Sequence, residues 1–306
     1  MRKTVPHSRP RTARAAAAAL AVVLMAMGTG CSAGWDGGAG ERAAGAAARP
    51  PAKPVPVWNR NPDSIAAVGD SITRGFDACS VLADCPEASW ATGNDPAVRS
   101  LASRLLGPAG AADRSWNFAR TGARMADLPG QLAAAAEQRP ELVTVMAGAN
   151  DACRTSAASM TPVEEFRSDF AKGLGRLRKA LPKTQVYVSS VPDLMRLWET
   201  GRDSPLGRQI WKLGICPSML ADPEAVDAAA AKRRAAVQAR VVAYNTVLRE
   251  VCGRDPLCRY DGGAVFRYPF TVSQLSRWDW FHPGKDGQAR LAELAHRQVT
   301  AAGPPR

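Results

Sequence analysis

Ser64-Ile65-Ala66-Ala67-Val68 runs directly into Gly69-Asp70-Ser71. A short apolar run closed by glycine marks a strand buried on both faces, because an amphipathic helix needs a longer run at helical spacing. The same signal returns at Leu142-Val143-Thr144-Val145-Met146-Ala147, which runs into Gly148-Ala149-Asn150-Asp151. Two further runs, 115–119 and 185–191, read as strands, and a fifth strand is expected within 257–266. Helical patterns fill the gaps. Asp95-Pro96 reads as a cap opening a helix with Val98, Leu101, Leu105 and Leu106 on one side. Residues 128–137 are helical by composition, and Thr161-Pro162 opens a helix carrying Phe166, Phe170, Leu174 and Leu177. Asp222-Pro223-Glu224 reads as the cap of a long helix with Val237, Val241, Tyr244, Leu248 and Val251 on its apolar face. Its basic stretch 232–234 reads as a solvated face, and residues 283–299 as a last helix.

Strands separated by helices imply an α/β fold, a mainly parallel sheet of about five strands covered on both faces. In such sheets ligands bind beyond the carboxyl ends of the strands. Residues 193–221 hold Trp198 and Trp211 without a clear period and read as an excursion over that edge.

The chain has 306 residues, 46% hydrophobic and 22% charged, which excludes a wholly disordered, collagen-like or multi-span membrane protein. Lys and Arg number 40 against 28 Asp and Glu, a net charge of +12. Arg2, Lys3, Arg9, Arg11 and Arg14 stand in an acid-free N-terminus; without them the balance is 35 against 28, or +7. No Lys/Arg run is interleaved with aromatics, so nucleic acid is not an expected partner.

The basic N-terminus precedes an apolar run at 15–27, too short to span a bilayer and suited to an export signal. The run ends in Gly28-Thr29-Gly30-Cys31, which resembles a bacterial lipobox and makes Cys31 a candidate lipid anchor. Gly28 departs from that pattern, and cleavage nearby, for instance after Ala33, would give a secreted protein instead. Residues 1–30 therefore read as a signal, 31–56 as an Ala/Gly/Pro-rich tether, and 57–303 as the folded domain. Cys31 aside, six cysteines remain, an even number suited to an oxidising compartment. Short loops favour Cys79–Cys85 and Cys252–Cys258, which leaves Cys153–Cys216. Zinc competes poorly, with no C-x-x-C pair and three His in the chain.

Four polar motifs stand where chemistry is expected: Gly69-Asp70-Ser71, Arg120-Thr121-Gly122, Gly148-Ala149-Asn150-Asp151, and Asp279-Trp280-Phe281-His282 before the last helix. An alcohol nucleophile needs a base in hydrogen-bond reach, and the base needs an orienting partner. His7 lies in the signal and His296 inside the last helix, so His282 is the candidate base. Asp279, three residues earlier, can hold its second ring nitrogen. Ser71, on a strand-to-helix turn, is the candidate nucleophile. The N–H groups of Ser71 and Gly122 and the amide of Asn150 are candidate donors to an oxyanion.

On these four blocks, which span 69–287 with Gly287 following His282-Pro283, the chain resembles an SGNH (GDSL-type) hydrolase. The resemblance implies a flavodoxin-like three-layer α/β/α sandwich. It implies Ser71 as nucleophile, His282 as base and Asp279 as its partner, with Ser71, Gly122 and Asn150 as oxyanion hole. With six paired cysteines, an exported member also resembles secreted actinobacterial esterases and lipases. The absence of G-x-S-x-G argues against an α/β-hydrolase. The expected activity is cleavage of a small-molecule, lipid or glycan ester by a monomer, with no metal or organic cofactor. Three readings compete: a carbohydrate O-acetyl esterase, a tethered non-catalytic binding protein and, from the sheet alone, a flavin-binding protein. Trp198, Trp211 and Trp280 are candidates for lining the substrate pocket, and a Cys153–Cys216 bridge would tie the 193–221 excursion to the loop bearing Asn150.

Overall fold

A computed structural model describes residues 57–304. The expected signal (1–30) and tether (31–56), with His7 and Cys31, lie outside the described residues.

The chain alternates strand and helix. β1 (Ile65–Gly69) leads into α1 (Ser71–Arg74), and α2 (Leu101–Arg114) into β2 (Ser115–Asn117). α3 (Leu128–Glu137), β3 (Leu142–Met146), α4 (Ala149–Ala152), α5 (Val163–Ala180) and β4 (Gln185–Val188) follow. Then come α6 (Leu194–Gly201), α7 (Pro205–Trp211), α8 (Pro217–Leu220) and α9 (Ala228–Cys252). β5 (Cys258–Tyr260), α10 (Ala264–Arg267) and α11 (Lys285–Thr300) complete the order. The five strands form one parallel sheet in the order β2-β1-β3-β4-β5. The order reverses between β1 and β3, and a doubly wound sheet opens a crevice at such a switch point.

Every residue of β1, β3 and β4 is buried, as a sheet covered on both faces requires. Alternate side chains feed two cores. Ala66, Val68, Val143 and Val145 pack with Leu132 of α3, Phe166 and Phe170 of α5, and Val241 of α9. Ile65, Ala67, Leu142 and Tyr187 face the other way, onto Leu101 of α2 and Leu291, Ala295 and Val299 of α11. The result is the three-layer α/β/α sandwich.

Two helix starts differ from the sequence reading. Asp95-Pro96 opens a turn rather than the helix: Asp95 accepts from the Ala97 N–H (2.8 Å) and pairs with Lys285 (2.7 Å). Arg99 then takes a left-handed φ of 49°, which ends any helical run, and α2 starts afresh with Ser100 capping the Ser103 N–H at 3.1 Å. Likewise Asp222 has φ 48°, and the Pro223 carbonyl accepts from Trp198 Nε1 (2.9 Å). The long helix is capped instead by Asp227, which accepts from the N–H groups of Ala229 and Ala230 at 2.9 and 3.0 Å.

The basic stretch 232–234 is not a wholly solvated face. Arg234 is buried, with its guanidinium carbon 3.9 Å from the centre of the Trp198 ring. The excursion at 193–221 folds into α6, α7 and α8, each too short to display a helical period. No helix among the described residues is long and apolar enough to cross a membrane.

Candidate active site

The turn after β1 presents Ser71 at the crevice. Gly69 has φ +146°, and a Cβ there would lie 2.1 Å from the Met146 carbonyl oxygen, so only glycine fits between β1 and β3. Gln131 clamps this glycine from α3: its Oε1 accepts from the Gly69 N–H (2.7 Å) and its Nε2 donates to the Gly69 carbonyl (2.9 Å). Asp70 caps α1, accepting from the Ile72 N–H at 3.0 Å. Its burial pushes its carboxyl up to about 7. Gln288 of α11 fastens α1 from above, donating to the Ile72 carbonyl (2.9 Å) and accepting from the Trp90 N–H (3.0 Å).

The segment before α11 supplies the other groups. Asp279 Oδ1 accepts from the N–H groups of Phe281 and His282 at 2.9 and 3.0 Å, which turns the chain back on itself. Asp279 Oδ2 then lies 2.5 Å from His282 Nδ1, and His282 Nε2 lies 2.8 Å from Ser71 Oγ. With Nδ1–H donating to Asp279, Nε2 is the acceptor for the Ser71 hydroxyl. Phe76 and Phe281 stand edge-on to the imidazole, each with its ring centre 5.0 Å away. The structure thus brings together three residues that lie up to 211 positions apart.

Gly122 and Asn150 come from the loops after β2 and β3. The N–H groups of Ser71 and Gly122 have no hydrogen-bond partner among the described residues. Gly122 has φ +81°, and a Cβ there would project into open space. Asn150 donates one amide hydrogen to the Ala123 carbonyl at 2.9 Å and keeps its second. Asp151 accepts from the Met125 N–H (2.9 Å), pinning the Gly122 loop to α4, and burial pushes its carboxyl up to about 6.

An apolar cavity abuts this cluster. Its walls include Ile72, Ala149, Phe281 and Pro283, the chain neighbours of Ser71, Asn150 and His282. Leu194 and Leu197 of α6 close it from the excursion.

None of the three tryptophans is among the residues lining that cavity. Trp198 and Trp211 are buried in the core. Trp211 Nε1 instead donates to the Asp279 carbonyl at 3.1 Å, and the Trp280 ring would lie 3.0 Å from a Cβ on Gly207. The excursion thus touches the Asp279 segment as well as the cavity.

Three disulfides join Cys79–Cys85, Cys153–Cys216 and Cys252–Cys258. The second ties α4, which bears Asn150, to the start of α8. Within the first, Asp84 accepts from Arg74 Nε (3.1 Å) and Thr121 Oγ1 (2.5 Å), joining the Ser71 turn to the Gly122 loop.

A sequence model of the GDSL-like lipase/acylhydrolase family matches residues 67–290. The chain belongs to this family. Among solved structures it is similar to a Parabacteroides merdae protein described as a GDSL-like lipase, at 18% identity and TM-score 0.48, covering 81% of this chain and 100% of that one. It is also similar to the extracellular lipase of Streptomyces rimosus (19% identity, TM-score 0.42, covering 78% and 99%). An active-site mutant of a family two carbohydrate esterase from Clostridium thermocellum matches at 14% identity and TM-score 0.43, covering 80% of this chain and 63% of that one. No curated protein matches the sequence.

Proposed function

We propose that this member of the GDSL-like lipase/acylhydrolase family is a serine hydrolase that cleaves esters with an apolar acyl group. The observation that carries the reading is the unbroken chain from Ser71 Oγ through His282 to Asp279, at 2.8 and 2.5 Å. His282 Nε2 takes the Ser71 proton as Oγ attacks the ester carbonyl, and Asp279 stabilises the resulting imidazolium. The negative charge on the tetrahedral oxygen is held by the N–H groups of Ser71 and Gly122 and the free amide hydrogen of Asn150. The intermediate collapses, the C–O bond to the alcohol breaks, and His282 returns the proton to the leaving oxygen. Water, deprotonated by His282, then attacks the acyl-enzyme, releasing the acid and restoring Ser71.

The apolar cavity supports an acyl chain longer than acetyl as the buried half of the substrate. The walls are mainly apolar, with Asp193, Arg196, Thr200 and Tyr268 among the lining residues, and offer a sugar few hydrogen-bond partners, so the acyl side rather than a glycan fits there. We also propose export: six cysteines paired in three bridges suit an oxidising compartment. An N-terminal signal over residues 1–30, with Cys31 as lipid anchor or cleavage nearby giving a secreted form, is part of that proposal.

The test is hydrolysis of p-nitrophenyl esters from acetate to palmitate, together with fluorophosphonate labelling. Ser71→Ala or His282→Ala should lower kcat by at least about 10³-fold. A Ser71→Ala protein with near-normal turnover would sink the assignment. Labelling of Ser71 with no turnover of these esters would move the substrate to a class they do not mimic, such as an acetylated polysaccharide.

A further inference from the structure

Beside the proposed triad stands a carboxyl that its mechanism does not use. Asp77 follows α1 and is buried, with a left-handed φ of 58°. Its carboxylate, that of Asp279 and the His282 ring offer atoms that all lie within 4.8 Å of one another. Asp77 Oδ1 accepts from the Leu82 N–H (2.5 Å), its own N–H donates to the Ala83 carbonyl (2.9 Å), and its carbonyl accepts from Ser276 Oγ (2.7 Å). Asp77 is therefore the knot between the Cys79–Cys85 loop and the segment that carries Asp279 and His282.

Holding Leu82 needs only one neutral acceptor, which an asparagine would supply. A carboxyl at this position is costly, because burial and the neighbouring Asp279 both push it up, to about 6. The groups that face it are Asp279 and His282, while Asp70 faces the imidazole from the Ser71 turn. A second carboxyl against the acid of a proposed triad does two things. It crowds that acid, with ligating atoms within 4.8 Å, and so restricts its orientation, and when ionised it adds negative charge beside the imidazolium that forms during acyl transfer.

We propose that Asp77 is a positioning residue for the acid–base pair, acting through Asp279 on His282. This rests on the serine-hydrolase reading above.

The experiment is the pH profile of kcat/KM for a p-nitrophenyl ester in wild type, Asp77→Asn and Asp77→Glu. Asp77→Asn keeps an acceptor for Leu82 and removes only the charge. Unit charges about 5 Å apart at an effective dielectric constant between about 40 and 80 shift a titration by about 0.6–1.2 units. The low-pH limb of activity should therefore move down by that amount in Asp77→Asn, and the plateau should fall by about 4- to 16-fold. Asp77→Glu should restore part of both. A purely structural role would leave the limb in place. An Asp77→Asn enzyme whose limb and plateau match wild type overturns the proposal. A Ser71→Ala enzyme that keeps its turnover overturns the triad and this proposal together, so the two failures are told apart.

Should Asp77→Asn not fold, the wild-type protein decides. In carbon-13 spectra of labelled aspartate, Asp77 should titrate near pH 6. That titration should displace the low-field Nδ1 proton resonance of His282. Independent titration of the two groups overturns the proposal.

Discussion

Leu197→Trp isolates the proposed acyl cavity from the chemistry. Leu197 lies on α6, half-buried, and lines the cavity without touching Ser71, His282 or Asp279 through any hydrogen bond. An indole there fills the space that the acyl chain would take. Each buried methylene is worth about 0.8 kcal/mol, or about fourfold in kcat/KM when the transition state keeps the contact. If the ring displaces about two to four methylenes, the octanoate-to-acetate ratio of kcat/KM falls by about 15- to 250-fold. Acetate hydrolysis, which needs no cavity, should stay within about twofold of wild type. The assay is the p-nitrophenyl ester series, with the folded state checked by circular dichroism. A variant whose chain-length profile is superimposable on wild type would refute the acyl assignment of the cavity. An equal loss for all esters would refute it too, because that pattern means a disturbed triad.

Asn150→Ala should lower kcat by about 10²–10³-fold at little change in folding, checked by single-turnover kinetics and thermal melts. Replacing both Cys153 and Cys216 by serine opens a loop with a sequence separation of 63 residues, and urea unfolding should read a loss of about 4 kcal/mol. The Cys252–Cys258 bridge, with a separation of 6, should be worth about 2 kcal/mol by the same measure. Asp70 is protonated more readily folded than unfolded, from 3.8 up to about 7, so its contribution to stability is full below pH 3.8 and is lost as pH rises through 7. Asp70→Asn removes that dependence. Relative to wild type it should therefore gain, between pH 4 and 8, at most about 4 kcal/mol in urea unfolding.

The layers of the fold were legible because parallel strands buried on both faces leave uninterrupted apolar runs, and β1, β3 and β4 each carry one. The candidate catalytic residues were legible for a related reason: each follows a strand or precedes a helix within a short polar motif. Helix starts were read less well, because the local cap signals at Asp95 and Asp222 are overruled by distant partners, Lys285 for the first and Trp198 for the chain just after the second. Arg234 sits in a run of charges that looks solvated until the excursion lays Trp198 across it. Gln131 and Gln288 carried no signal at all. Their amides act on residues 62 to 216 positions away, and no local pattern marks a glutamine that will be buried.

Gln131 and Gln288 share one task with the disulfide bridges and the excursion. Ser71, Gly122, Asn150 and Asp279 all stand in or beside loops, which are the most mobile parts of a fold unless something fastens them. Here each is fastened from outside its own motif. Gln131 and Gln288 hold the Ser71 turn, Asp84 spans that turn and the Gly122 loop, Cys216 holds Asn150's helix, and Trp211 holds the Asp279 carbonyl. A hydrogen-bonded chain as short as the one through His282 persists only when the backbones at both ends are fixed to a fraction of an ångström. In the proposed reading the motifs supply the chemistry, and residues scattered over α3, α11, the Cys79–Cys85 loop and the excursion supply the precision. Sequence motifs alone would be compatible with a site whose groups never meet; the fasteners are what separate the proposed nucleophile from a serine at a turn.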